Sequence, residues 1–164
     1  MTAHLSRWTV GAATITAVHE LDLEGVGPWL LPDVTPELVA GVPWLDPAAS
    51  DPDGGIRVDV RSLVVEIGGS RIVVDTGVGN GKTRVNPAWN HLETAFLSAF
   101  AAAAGPPEAV DVVVNTHLHR DHVGWNTRWS AGDGSRPFHG RGTWWRGRSP
   151  TIGGPRPSTS TRSG

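Results

Sequence analysis

The chain has 164 residues, no cysteine and a formal net charge of −2 at pH 7. This length suits a single domain. Without cysteine the chain offers no disulfide, no thiolate ligand and no thiol nucleophile, so nitrogen and oxygen atoms must hold any bound metal. The opening residues lack the pattern of a signal peptide, and no apolar run approaches the roughly 20 residues of a membrane span. We expect a cytoplasmic protein.

Charge and composition divide the chain in two. Residues 1–128 carry 8 basic and 15 acidic side chains, whereas residues 129–164 carry 6 basic and 1 acidic. The second segment is rich in Gly, Arg, Ser and Pro, and it has no apolar stripe with which to offset the entropy of ordering. The composition therefore predicts a folded segment over 1–128 and a disordered tail over 129–164.

The first elements are a strand and an irregular excursion. Apolar and polar residues alternate over 13–18, which predicts a half-buried strand. Six prolines between positions 28 and 52 exclude long regular elements from residues 22–59. The apolar side chains of this excursion either line a substrate entrance or a dimer surface, or cover the core; they are Trp29, Leu30, Leu31, Trp44 and Leu45.

A β-hairpin is predicted next. Two β-rich runs, 62–67 and 71–75, flank a Gly-Gly turn at 68 and 69. The second run ends at Asp75, which is either a turn-forming residue or a functional carboxylate, and the glycines at 77, 79 and 81 permit close backbone approach. The Gly-Lys-Thr that follows does not complete a phosphate-binding loop, because the motif requires glycine where Thr76 stands.

A helix and a final strand lead to the most informative part of the chain. Asn90 and Glu93 have the spacing of an N-cap and its reciprocal acid, and apolar residues recur on one face, so a helix is predicted over 91–104. Gly105 and two prolines end it. A β-branched strand over 110–115 then presents a polar loop at its carboxyl end, where sites in open α/β sheets commonly lie.

That loop, THLHRDHVGWN at 116–126, holds four metal-ligand side chains within six positions: His117, His119, Asp121 and His122. In an extended segment the first two leave on the same side, and a turn at the second two can present another pair. Imidazole and carboxylate groups suit zinc. A lone histidine would be an ordinary surface or boundary residue, as we expect for His19, but this cluster predicts a metal site.

The pattern HxHxDH resembles the signature of the metallo-β-lactamase superfamily, and the resemblance covers about Thr9 to Arg128. It implies an α/β fold, the αββα metallo-β-lactamase-like sandwich, truncated to about its first half. It also implies that His117 and His119 bind a first zinc ion, that Asp121 and His122 bind a second, and that Asp121 is the catalytic residue that orients the attacking water. Asp75 would support a histidine ligand from the second layer of contacts.

The implied activity is metal-dependent hydrolysis, with metal-bound hydroxide attacking an ester, lactone, thioester or similar substrate. We expect a small-molecule substrate and no membrane or nucleic-acid partner. The sequence is compatible with either a monomer or a homodimer. The ligands that the family places later in the chain have no counterpart here apart from a weak candidate, His139. The alternative is therefore a non-catalytic metal-binding fragment.

The tail has two interpretations. Codons permitted for residues 129–154, read in a shifted frame, can encode an amino-acid sequence that contains the strand-like run RYLVA and acidic residues. This possibility favours a frameshift near Arg128. Otherwise the tail is a genuine disordered Arg-Gly segment with electrostatic affinity for nucleic acid. The nucleotide sequence over these codons separates the two.

Overall fold

The computed structural model describes residues 6–45, 49–51 and 53–128 and the backbone of 142–145. In this part of the chain, six strands form one mixed sheet in sequential order. The first four strands are antiparallel neighbours, and the last three are parallel. The strands are β1 (Ser6–Val10), β2 (Ala13–Leu23), β3 (Val58–Ile67), β4 (Ser70–Val74), β5 (Val112–Asn115) and β6 (Gly142–Trp145).

The helices are short. They are α1 (Gly27–Leu30), α2 (Pro36–Ala40) and α3 (Phe96–Ala104), with 3₁₀ turns at Pro87–Trp89, Pro107–Ala109 and Gly124–Asn126. The brevity of α1 and α2 agrees with the proline spacing of the excursion. Within the described residues, no helix has the length and apolar character needed to cross a membrane.

The strand predictions are confirmed, with shifted ends. β3 and β4 pair across Gly68 and Gly69, whose φ angles of 57° and 80° suit a type I′ hairpin. β2 continues to Leu23, five residues beyond its predicted end, through a register shift between His19 and Leu21. β5 begins at residue 112 rather than 110.

The helix prediction was wrong at its start. α3 begins only at Phe96, so Asn90 lies too far upstream to cap it. Just before the helix, Thr94 donates hydrogen bonds from its backbone N–H and its hydroxyl to Asn80 Oδ1, at 2.9 and 3.0 Å. The side-chain oxygen of Asn90 instead accepts a hydrogen bond from the Arg84 N–H at 2.9 Å, so it does not cap a helix that begins at residue 91.

One face of the sheet packs against α3 to form the core. Phe96 stacks on Trp125, with ring centroids 5.6 Å apart, so the loop after β5 is anchored directly to the helix. The buried cluster takes one residue from each of β2 to β5 and three from α3, and Val110 and Trp125 complete it: Val18, Val64, Val73, Phe96, Phe100, Ala104, Val110, Val113 and Trp125.

The opposite face of the sheet is apolar and only half-buried. Because side chains alternate along a strand, this face carries the other set of aliphatic residues: Ile15, Leu63, Val65, Ile72, Val74, Val112 and Val114. A single sheet with a helix on one face is the arrangement expected of about half an α/β sandwich. The predicted α/β class is confirmed.

The excursion does not cover the core with its tryptophans. Trp29 and Trp44 are 80% and 82% exposed, and Leu30 and Leu31 are also exposed. The interpretation that these side chains simply cover the core is therefore wrong for Trp29, Trp44, Leu30 and Leu31, whereas Leu45 is half-buried. Their role in a substrate entrance or a dimer surface remains a prediction.

The tail enters the described structure at one place. β6 lies within the segment expected to be disordered, and its backbone pairs in parallel with β5. The remainder of 129–164, His139 included, lies outside the described residues.

Candidate metal centre

Two loops meet at the carboxyl ends of the parallel strands β4 and β5. We call residues 75–84 the β4 loop and residues 116–126 the histidine loop. Backbone hydrogen bonds join them: the Thr76 N–H donates to the His122 carbonyl at 2.8 Å, and the Gly124 N–H donates to the Gly77 carbonyl at 2.6 Å. The two loops therefore form one rigid platform.

Glycines make this close approach possible. A Cβ on Gly124 would overlap the backbone of Val78, and a Cβ on Gly77, whose φ is 64°, would overlap the carboxylate of Glu20. The expectation of close backbone approach is confirmed at Gly77, and at Gly79, which packs against Gly124.

Asp75 connects the end of β4 to the histidine loop. Its Oδ1 accepts a hydrogen bond from the Thr116 N–H at 2.8 Å, and its Oδ2 accepts one from the Thr116 hydroxyl at 2.7 Å. The same Oδ2 lies 2.8 Å from Nδ1 of His122. The structure thus brings Asp75 against one of the four candidate ligands, in the contact by which a carboxylate orients an imidazole.

The histidine rings lie together. The ring centroids of His117 and His122 are 3.8 Å apart, and those of His117 and His119 are 4.6 Å apart. Nδ1 of His117 lies 3.1 Å from the hydroxyl of Thr116. With Nδ1 engaged on both His117 and His122, Nε2 is the atom that each ring could offer to a metal, and on His122 it points towards Asp121, so the donor set fits zinc.

Asp121 completes the group. Its Oδ2 lies 3.3 Å from Nε2 of His122, so that imidazole stands between two carboxylates. Hydrogen bonds to Asp121 and Asp75 raise the pKa of His122 to about 9, against the opposing effect of burial. Partial burial opposes ionisation of both carboxylates, but their bonds outweigh it and lower the pKa of Asp75 and of Asp121.

His117 has the opposite electrostatic environment. Burial, followed by the positive charges of His122 and His119, lowers the pKa of His117. A neutral imidazole is the form that binds a metal. Of these two candidate ligands, His117 thus has the environment that favours the neutral form, and His122 has the one that favours the protonated form.

A second group of ligand atoms lies elsewhere on the sheet. In the described part of the chain, the group with three ligand atoms within 4.8 Å of one another is His19, Asp22 and Asp59, not a triad of the histidine loop. Arg57 donates to Asp22 at 2.8 Å, and Arg61 donates to both carboxylate oxygens of Asp59. Because arginines already neutralise both carboxylates, we favour the histidine loop as the metal centre.

Three polar residues that sequence reasoning missed fix the backbone of the histidine loop. The buried Asn115 side chain donates to the carbonyl of His122 at 2.9 Å, and the Thr76 hydroxyl oxygen lies 3.2 Å from the same carbonyl. The side-chain oxygen of Asn126 accepts a hydrogen bond from the Thr76 hydroxyl at 2.9 Å. The side-chain amide of Asn126 donates to the side-chain oxygen of Asn115, also at 2.9 Å. The strand-ending asparagine at 115 was the available clue, because a β-branched strand rarely buries one without a partner.

Glu20 is the other missed residue. This carboxylate is 8% exposed and accepts hydrogen bonds from the Val78 and Gly79 N–H groups, at 2.6 and 3.0 Å, and from Nε1 of Trp125 at 2.7 Å. Burial raises the pKa of Glu20, although the three donors oppose the shift. An acid at an inward position of β2, in alternation with Thr16 and Val18, was the clue in the sequence.

A cavity on the described part of the sheet lies away from this centre. It has a volume of about 540 Å³ and lies at the opposite end of β4, lined in part by Glu66, Ser70, Arg71 and Asp111. The chemistry of the histidine loop is thus not associated with that cavity.

Comparison with known proteins identifies the family. Residues 55–141, just over half of the chain, match the family model described as the metallo-beta-lactamase superfamily, and the chain belongs to that superfamily. The predicted resemblance and fold are confirmed. No curated protein matches the chain.

Solved structures show the same fold over a shorter span. The chain is 27% identical to a hydrolase called AbOPH in the beta-lactamase superfamily, with a TM-score of 0.54 over 76% of this chain and 40% of that one. A probable metal-dependent hydrolase from Staphylococcus aureus is 18% identical, with a TM-score of 0.50 over 72% of this chain and 42% of that one. The chain therefore spans about 40% of the length of these neighbours.

We predict that Glu20→Gln destabilises the protein by about 3 kcal/mol. The substitution replaces one carboxylate oxygen with an NH₂ group, so at least one of the three buried N–H donors around Glu20 loses its acceptor. Urea denaturation measures the loss. The same substitution at the exposed Glu24 is the control and should change stability by less than about 0.5 kcal/mol. Equal effects at the two positions would contradict the anchoring role of Glu20.

The metal-free protein should lose stability at alkaline pH through His122. Its folded pKa of about 9 lies above the ordinary value of 6.5, so its stabilising contribution is complete below pH 6.5 and disappears as pH rises through 9. Urea denaturation with a chelator at pH 6 and pH 9.5 should show a smaller loss in His122→Asn than in the unaltered chain. His91→Asn, at an exposed position, should keep the full loss; an unchanged loss in His122→Asn would refute the assignment.

Proposed function

We propose that the histidine loop is the metal centre of a hydrolase. The proposed ligands are His117 and His119 for a first zinc ion and Asp121 and His122 for a second. The observation that carries the proposal is the 2.8 Å contact between Asp75 and Nδ1 of His122, which directs Nε2 of that ring towards Asp121. Bound zinc would supply an acidified water and polarise the bond under attack.

The chain's own residues would have distinct tasks. Asp75 fixes the orientation of His122 and increases its basicity as a ligand. Asp121, whose pKa is lowered, is ionised at neutral pH and can accept a hydrogen bond from the attacking water. Thr116 links Asp75 to His117, so one carboxylate sets the geometry of two histidines.

The proposed substrate is a small molecule with an ester, lactone, thioester or similar bond. The superfamily membership and the 27% identity to a protein called a hydrolase support this reaction class. Residues 1–128 would be the ligand-bearing part of the domain, and residues 129–164 a Gly/Arg/Ser/Pro-rich tail.

A second candidate function is a non-catalytic metal-binding fragment. Two observations favour it: the chain spans about 40% of the solved neighbours, and the sheet face opposite α3 is apolar but only half-buried. Catalytic zinc usually has three protein ligands and one open position. On this account the chain binds zinc weakly and turns over little substrate.

Zinc titration followed by equilibrium dialysis tests the ligand assignment. We predict that His122→Ala weakens zinc binding by more than about 100-fold, since loss of a ligand should exceed the roughly 10- to 100-fold cost of losing its supporting contact. Asp75→Asn should weaken binding less. Asp59→Asn, in the alternative group, is the control and should leave the affinity unchanged; the reverse pattern would assign the metal to His19, Asp22 and Asp59.

The same zinc-loaded preparations separate the two functions. Stable binding of two ions, with lactone or ester hydrolysis abolished in His122→Ala, would establish the hydrolase and refute the fragment. Labile or substoichiometric zinc with no turnover would establish the fragment.

A further inference from the structure

Several described lysine and arginine side chains that form no ion pair with a carboxylate lie in or next to the β4 loop and the histidine loop. Four described arginines, Arg7, Arg57, Arg61 and Arg71, form ion pairs with Asp or Glu on the sheet. Among the described residues, Lys82, Arg84, Arg120 and Arg128 have no carboxylate within 4.0 Å. Two of these lie at the end of the β4 loop, Arg120 lies within the histidine loop and Arg128 lies just beyond it.

The positions of the two β4-loop cations are fixed by backbone acceptors. Nζ of Lys82 donates to the carbonyl and hydroxyl of Thr127, at 2.8 and 2.9 Å, and so ties the β4 loop to the residue that follows the histidine loop. Nη2 of Arg84 donates to the Val78 carbonyl at 3.2 Å. Neutral carbonyls orient these cations but leave their charges uncompensated.

Arg84 has an unused donor as well. Its Nε is buried and has no hydrogen-bond partner. A buried donor of a charged group left without an acceptor is costly, which asks for an explanation in a native structure. Because protein atoms cover this Nε, an incoming anion would contact the Nη end of the half-buried guanidinium, whose planar donors match a carboxylate or a phosphate.

The cations are close enough to affect one another. Burial, followed by the positive charge of Arg84, lowers the pKa of Lys82; burial, followed by the charge of Arg120, lowers the pKa of Arg84. Such repulsion destabilises the unliganded loops, and an anion that binds among the three cations would relieve it.

We propose that Lys82, Arg84 and Arg120 form an oxyanion subsite beside the histidine loop, which binds a carboxylate or phosphate group of the substrate. Arg84 and Arg120 supply the direct contacts, and Lys82 is a positioning residue that holds the two loops together and adds positive charge. The inference rests on the proposed function and narrows its substrates to anionic molecules that carry the hydrolysed bond.

Anion binding to the full chain, with zinc removed by a chelator, tests the subsite. Isothermal titration at low ionic strength would use inorganic phosphate in one arm and acetate in the other. We expect saturable 1:1 binding of at least one anion, weakened about tenfold in Arg84→Gln and in Arg120→Gln, because each loses a charge-assisted hydrogen bond. Arg7→Gln removes the same charge from a distant exposed position and should bind like the unaltered chain.

Two further variants guard against misfolding. Arg120 is exposed, so Arg120→Gln decides the question if Arg84→Gln alters the thermal unfolding transition. Arg84→Lys keeps the charge but loses the fork, and it should bind the anion more weakly than the unaltered chain and more tightly than Arg84→Gln.

The outcomes identify the anion. Tighter binding of phosphate supports a phosphate-bearing substrate, and tighter binding of acetate supports a carboxylate-bearing one. No saturable binding of either, or equal losses in Arg7→Gln and Arg120→Gln, overturns the proposal. Tight binding of a short single-stranded oligonucleotide with no binding of phosphate also overturns it. Because the metal is absent, failure of zinc binding alongside intact anion binding would count against the proposed hydrolase only.

Discussion

The hydrogen bond between Asp75 and His122 is the contact on which the candidate centre depends. It joins the end of β4 to the loop after β5, and its 2.8 Å length determines which nitrogen of His122 faces Asp121. The parallel pairing of β4 and β5 makes this contact possible, because it brings both carboxyl ends to one edge of the sheet. Fold and site are therefore linked by topology rather than by the loop sequence alone.

Buried polar groups extend that contact into the core. The carbonyl of His122 accepts from the Thr76 N–H and the Asn115 side chain. The Glu20 carboxylate on β2 binds the Val78 N–H of the β4 loop and Nε1 of Trp125. A buried, fully bonded carboxylate rigidifies its surroundings, because any rearrangement would leave its donors unsatisfied. This rigidity lets a short loop hold several candidate ligand side chains near one another.

The sequence predicted the elements whose rules are local. The Gly-Gly hairpin, the strand before the histidine loop and the family resemblance all follow from short-range patterns. The start of α3 could not be predicted, because Asn80 binds Thr94 from a distant loop. Glu20 was missed for a similar reason: its partners Val78, Gly79 and Trp125 lie 58 to 105 residues away in sequence. The ligand roles of the four loop residues remain a prediction.

Zinc-edge X-ray absorption on the zinc-loaded chain tests the central claim most directly, because it counts the imidazoles around the metal. The account predicts at least two histidine nitrogens at about 2.0 to 2.1 Å from zinc, with the imidazole contribution reduced in His117→Ala and unaffected in His19→Ala. A spectrum with a single imidazole that disappears in His19→Ala would contradict it and place the ion with Asp22 and Asp59.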